Sequence, residues 1–485
     1  MRALLLLMLA VMSGCAVKPA AVDPSFAAVS VAVTGDTRSS ADEYRRARQG
    51  YQTDPRYACS QPLYAAWFRG QGRTGATPLP CANRVPFAVQ TPDEGIRVVW
   101  LDPARVSAVH LLFAGSSPSP ASRFGHVALR LVVCPASAPD PQACDSNLSK
   151  HLVLGFQAHV DDFTLDLLKA LGGEYQARLF ASRFLDTYEQ YAIGEFRELH
   201  SLPLRLSAPQ RQQLVRDLAQ IHWRFAGSYD FFTRNCATLL QQALRVSWDD
   251  YAGDRALADG FLRPDRLFAA LRDSPLADGA RLASPEQAER DGYYFSSTRS
   301  FYEQALAQLR QHLPGPGLDS LQAYTGIAPH ARRAAFDDPD YVQRLRAVPR
   351  TLQAQLMLEE YALFSSQRLL SGYAADYLRR QDFASWAGAL DATHAAVFND
   401  CLVQPLRQRI GPPRRASGIP GEDDRFSEIP VAAEHCGTER SRLLLAEAMA
   451  AVSDDGSEAW QHLTSLARYR ADTLDNILYL RQLRP

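Results

Sequence analysis

Between residues 97 and 159 the chain passes through four short apolar runs, "RVVWLD", "AVHLLFAG", "HVALRLVVC" and "HLVLGFQAHV", with turn residues between them. Runs of that length, rich in β-branched and large apolar residues, form strands, and four in succession predict a small antiparallel sheet. Helical spacing takes over around them. Residues 162–192 and 207–226 read as helices, the second with Ser207 as its cap and apolar residues at 214, 218, 221 and 225. After about residue 250 the pattern is almost wholly helical, most clearly in "LQAQLMLEEYALFSSQRLLSGYAADYLRRQ" and "SEAWQHLTSLARYRADTLDNILYLRQL". The expected fold class is therefore α+β: a sheet with helices over residues 97–250, followed by a largely helical region at 251–485. Residues 41–96 read as a short helix and a loop-rich extension. Residues 409–430 read as a Pro/Gly loop.

The amino-terminal end sets the compartment. "MRALLLLMLAVMSGC" places one positive charge before an apolar run and then small residues, the order of a secretory signal over residues 1–14. "MSGC" also matches the bacterial lipobox, which would make Cys15 the acylated first residue of the mature chain. Acyl chains at ~0.8 kcal/mol per buried methylene would hold such a chain on a membrane. With Ala16 next and no retaining aspartate, the expected location is the outer membrane, facing the periplasm. The stretch 15–40 is small and polar with little periodicity, and reads as a lipidated tether.

Eight cysteines then become informative. With Cys15 assigned to lipid, local pairing gives Cys59 with Cys81, Cys134 with Cys144, and Cys401 with Cys436, each closing a polar or Pro/Gly-rich stretch. Cys236 is left alone. Its 52 basic and 53 acidic residues give a net charge of −1, which offers nucleic acid no electrostatic footprint. No HExxH, CxxC or Gly-rich phosphate loop occurs, so neither metal nor cofactor is expected. Oligomeric state is not legible.

Cys236 opens the run "CATLLQQALRVSW" directly after Asn235, a favoured helix cap. A thiol there faces unpaired amides and the positive end of the helix dipole, which favours the thiolate. A base is needed, and His126 at the start of the strand "HVALRLVV", after Gly125, is the candidate. Gln157 and His159, two apart on the next strand and therefore on one face, are candidates to orient it. Each residue also has an ordinary reading: a packed thiol, a turn histidine, a polar group satisfying a carbonyl.

The order of strand histidine, polar residue on the next strand, then "NC" opening a helix resembles the circularly permuted papain-like fold of NlpC-like peptidases and their permuted relatives. More narrowly, "SRFGHVALRL", the Gly172–Gly173 pair in "LGGEY", and "YDFFTRNCATLL" resemble the Lnb N-terminal periplasmic domain family over about residues 97–245. That resemblance implies Cys236 as nucleophile, His126 as base, and acyl transfer or hydrolysis of an ester or amide through a thioester. Envelope lipids, lipoproteins and cell-wall peptides are the implied substrates. The family is typified by an acyltransferase embedded in the membrane through helices that follow this domain. Here no apolar run of about 20 residues follows it. The alternative expectation is an envelope lipoprotein that uses the same domain as a non-catalytic scaffold.

Overall fold

The structure is a computed structural model. It describes residues 22–54, 56–71, 84–91, 95–116, 123–135, 142–159, 173–230, 232–254, 257, 260–261, 263–313, 317–348, 350–379, 383–403, 438–453 and 458–483. Cys15, Cys81, Gly172, Cys436, the signal and the 409–430 loop lie outside the described residues.

The apolar runs form a mixed sheet. Its strands are β1 (Val85–Thr91), β2 (Gly95–Leu101), β3 (Val106–Ala114), β4 (His126–Val133), β5 (Leu152–His159), β6 (Tyr175–Arg183), β7 (Leu199–Pro203), β8 (Gly227–Tyr229) and β9 (Tyr294–Phe295). They lie in the order β2-β1-β6-β5-β4-β3-β7-β9, with β8 paired to β6. Every pairing among them is antiparallel except β1 with β6, which run parallel.

Two sequence expectations are corrected here. Residues 175–183, read as part of a helix over 162–192, are strand β6 at the middle of the sheet; among the described residues of that span the helix is Phe184–Tyr188, before a π-turn at Glu189–Gly194. The run "YQARLFASR" buries residues in alternation (Tyr175, Ala177, Leu179, Ala181), and pairing with β5 favours the extended form. Pro24–Thr34, read as tether, is a helix capped by Asp23, with Phe26 and Val33 fully buried in the main core. Its composition is apolar enough to pack, and weak periodicity does not prevent a helix that is buried on several sides.

The N-terminal extension is likewise part of the folded body. Glu43 on the helix Ser40–Thr53 pairs with Arg224 at 2.8 Å, and Gln220 accepts from the Leu63 amide at 2.7 Å. The helix Ala208–Arg224 does the joining. Its cap Ser207 donates its amide to Gln210 at 2.9 Å. Its buried His222 accepts from the β1 amide of Ala88 (2.9 Å) and donates through Nδ1 to Leu179 O of β6 (2.8 Å), which stitches the one parallel junction. Burial keeps that imidazole neutral, with its pKa pushed down to about 4.

On the same helix, Asp217 is 1% exposed and accepts from the Gln213 amide at 2.7 Å. Burial pushes its carboxyl pKa up to about 8. A raised folded value means the stabilising protonated state is fully present below the unfolded value and is lost as pH rises through about 8. Asp217→Asn should therefore match the parent near pH 4 and exceed it near pH 9 by a few kcal/mol, of order 1.4 per pKa unit. Denaturant melts at the two pH values check this; equal differences at both would refute it.

The sheet is covered on both faces. Helices Pro24–Thr34, Pro62–Gly70, Ala208–Arg224 and Cys236–Ser247 pack on one face, with Val127, Leu129, Leu154 and Phe156 beneath them. The other face carries Leu112, Ala114, Ala128, Val153, Phe184, Tyr191 and Leu199. There the buried Arg130 donates to His151 Nδ1 (3.1 Å), Ser201 Oγ (3.1 Å) and Gly292 O (2.9 Å), so its charge is spread over neutral acceptors. A separate core joins the helices Arg299–His312, Thr351–Arg379 and Glu458–Gln482. The expected helical C-terminal region is thus present, and no helix among the described residues is long and apolar enough to cross a membrane.

Candidate active site

Asn235 accepts from the amides of Ala237 (2.9 Å) and Thr238 (3.3 Å), and Thr238 Oγ1 accepts from the Asn235 amide (2.9 Å). This reciprocal cap fixes Cys236 at the first position of the helix Cys236–Ser247. The preceding loop is held by Asp230, whose carboxylate accepts from the Phe232 amide at 2.8 Å and from Thr233 Oγ1 at 2.7 Å. Of the expected cysteine pairs, one lies wholly within the described residues, Cys81 and Cys436 being outside them. Cys134–Cys144 is a disulfide, Cys59 and Cys401 are both disulfide-bonded, and Cys236 is the free cysteine among the described residues.

The thiol's surroundings differ from the sequence expectation of a ready thiolate. Cys236 is 3% exposed, and burial pushes its pKa up to about 11. The amides of Val127, Ala237 and Cys236 itself and the Arg197 guanidinium oppose that rise without overcoming it. The helix terminus supplies the dipole anticipated from sequence, but desolvation of the anion is the larger effect.

His126 stands at the first position of β4, opposite Ala114 of β3. By strand alternation it shares a face with Ala128 and Arg130, whereas the cysteine helix covers the face of Val127 and Leu129. Imidazole and thiol thus leave opposite faces at the start of β4, where the Val127 amide acts on the sulfur, and they share two neighbours: Tyr191, which stacks on His126 and feels the thiol, and Arg197, which acts on both. No hydrogen bond joins imidazole to thiol: His126 Nε2 is buried and without a partner. Burial, then Arg197, push the imidazole pKa down to about 4. The resting pair is neutral thiol and neutral imidazole.

Gly155 makes room for the imidazole, and Gly125 for the turn that delivers it. Gly125 has φ +84°, and a Cβ there would lie 2.6 Å from Ala114 O and against the Phe113 ring. Gly155 lies beneath the imidazole, where a Cβ would come within 3.4 Å of Nε2. Gly125→Ala is expected to cost about 1–3 kcal/mol and to displace His126. Thermal melting and the His126 imidazole resonances check this; an unchanged melt with unshifted resonances would refute it.

Of the two sequence candidates for an orienting group, Gln157 is exposed and His159 is half-buried, stacked near Phe180 with ring centroids 6.4 Å apart. Both lie on the His126 side of β5, but β4–β5 pairing ends at Leu129 and Leu154, and neither reaches Nε2. The group beside the imidazole is Tyr191, with ring centroids 6.0 Å apart and planes 29° apart. Arg197 stacks on Tyr191 in turn, 4.7 Å from its ring centre. Both belong to the segment 189–197, whose π-turn carries no signal in single-residue spacing, and sequence reasoning missed them. Next to Arg197, a cavity of about 370 Å³ is lined by Gly115, Ser116, Phe196, Glu198 and Arg299 among others.

Residues 99–256 match the family described as the Lnb N-terminal periplasmic domain, which covers β3 to β8 and the helix that begins with Cys236. The resemblance carried by the sequence motifs is thereby shown for this part of the chain. A periplasmic domain is a cell-envelope one, in agreement with the coarse location expected from the sequence. No curated protein and no solved structure matches the chain.

Proposed function

We propose that this protein is a cell-envelope cysteine enzyme, lipid-anchored through Cys15, that transfers or hydrolyses an acyl group held as a thioester on Cys236. The observation that carries the reading is the free Cys236 at a capped helix start, with three backbone amides acting on its sulfur and His126 adjoining one of them. In the reaction the thiol proton passes to His126 and the sulfur bonds to the carbonyl carbon of an ester or amide. The bond to the alcohol or amine breaks, and that leaving group takes the proton back from the imidazolium. The Cys236 and Ala237 amides are candidates for holding the developing oxyanion. Water as second acceptor gives hydrolysis, and an amine or hydroxyl gives transfer. Envelope lipids, lipoproteins and cell-wall peptides are the substrate classes.

Because the resting pair is neutral and unbonded, the proton transfer must follow substrate entry and closure of the thiol–imidazole gap. The test is intact-mass analysis of the full chain after incubation with phospholipid vesicles or an activated acyl ester. An acyl adduct on Cys236 that neutral hydroxylamine removes supports the reading.

A non-catalytic scaffold is the second reading. It is favoured by a thiol 3% exposed, with a pKa pushed up to about 11 and no hydrogen bond to His126. Absence of any adduct with either acyl donor decides for it.

A further inference from the structure

Arg197 is 3% exposed, and its charge acts on both the thiol and the imidazole. Its Nε donates to Gly115 O at 2.6 Å and its Nη2 to Ala114 O at 3.0 Å. Ala114 is the residue of β3 opposite His126, so the guanidinium closes the end of the strand pair that carries the imidazole. Its plane lies over Tyr191, which itself stacks on His126. Nη1 reaches Glu195 at 2.8 Å on the side away from the backbone carbonyls. These bonds give the guanidinium one orientation, since its fork geometry is met at each nitrogen.

The chain delivers Arg197 there at a cost. Phe196, immediately before it, has φ +53°, a left-handed conformation that a phenylalanine adopts only when held. Its ring is packed against Tyr302 (centroids 5.8 Å) and Tyr361 (5.3 Å) of the helical region. The helical half therefore fixes the backbone from which Arg197 reaches the site.

We propose that Arg197 is a positioning residue for the Cys236–His126 pair, clamping the start of β4 and supplying the fixed positive charge in which negative charge on sulfur and carbonyl oxygen develops. This rests on the acyl-transfer reading above. The other titratable groups facing the pair are Tyr191 from the π-turn and Tyr229 from β8, both with their hydroxyl pKa raised by burial, while Glu195 offsets part of the Arg197 charge. Removing a nearby cation raises the pKa of a thiol and of an imidazole alike.

The experiment compares Arg197→Gln, Arg197→Lys and Phe196→Leu in the full chain. Three readouts apply: the pH midpoint of iodoacetamide alkylation at Cys236, the His126 titration by NMR, and the kcat and KM of deacylation. For Arg197→Gln both midpoints should rise by about one pH unit, and kcat should fall about tenfold to hundredfold with KM little changed. Arg197→Lys, which keeps the charge and loses the fork, should keep the midpoints near the parent values. Phe196→Leu should shift the His126 titration in the same direction as Arg197→Gln, by less. Identical behaviour of the Lys and Gln variants shows a merely structural clamp and overturns the proposal, as do unmoved midpoints in the Gln variant. Alkylation and NMR report even if Cys236 carries no acyl group, so failure of the enzyme reading is seen separately, as an absent adduct with the titration shifts intact. Should Arg197→Gln fail to fold, Phe196→Leu carries the comparison: a parent-like His126 titration in it would then overturn the proposal.

Discussion

Cys236→Ala is expected to abolish acyl-adduct formation and turnover, a loss of about 10⁴-fold or more, while the protein melts close to the parent. The thiol is buried but small, and its replacement by a methyl group removes one sulfur from a core that already contains Ala237 and Val127. The expected stability change is about 1 kcal/mol, the scale of one buried apolar atom group. His126→Ala should lower turnover by about 10²–10⁴-fold, the usual contribution of a positioned base. Its imidazole Nε2 has no hydrogen-bond partner to lose, so folding is not expected to suffer from unmet polar groups. The two variants separate the readings through activity and melting measured on the same samples. Loss of turnover with intact melts supports the thioester chemistry. Retained turnover in Cys236→Ala sinks it, and unfolding of both variants assigns the pair to the core.

The largest stability effect is expected far from the site, at Glu359. This carboxylate is fully buried in the helical region and takes two bonds from Arg332, at 2.7 Å and 3.1 Å. Tyr324 donates to it as well, and Asn476 lies at 3.4 Å. Arg332 also reaches Thr473 at 3.1 Å and Tyr469 at 2.9 Å, so one ion pair with its partners ties four helices together. Removing one partner leaves an uncompensated charge in the interior. Glu359→Ala is therefore expected to destabilise the helical region by about 3–5 kcal/mol, and Glu359→Gln by less because amide hydrogen bonds remain possible. Denaturant unfolding followed by tryptophan and tyrosine fluorescence measures both. A change below about 1 kcal/mol for Glu359→Ala would show that water or rearranged neighbours compensate the pair. The exposed pairs make a useful contrast. Arg299–Glu303 is half-exposed at both ends, and its loss should be close to silent.

Local sequence carried a good deal of this. Strands β3, β4 and β5 and the helix Cys236–Ser247 follow from short apolar, β-branched runs bounded by turn residues and from Asn235 as a cap, which act over a few residues and need no partner to be recognised. The same holds for Ser207 as a cap, and for the disulfide Cys134–Cys144 across a short loop. The free state of Cys236 followed from pairing the rest, and the match over residues 99–256 agrees with the quoted motifs.

What failed depended on neighbours distant in sequence. Residues 175–183 become a central strand because β5 and β1 pair with them, and Pro24–Thr34 becomes helix in a core formed mostly by residues beyond 60. Tyr191 stacks on His126 and Arg197 on Tyr191, and Phe196, held by Tyr302 and Tyr361, takes a left-handed step just before Arg197. The ionisation of the site was decided in the same way. From the sequence, a helix terminus lowers a thiol's pKa; in the folded chain, burial among Val127, Tyr229 and Ala237 raises that of Cys236 to about 11. Helix caps and strand alternation are short-range and were fixed by residue order, whereas desolvation and the placing of a distant charge are properties of the packed whole.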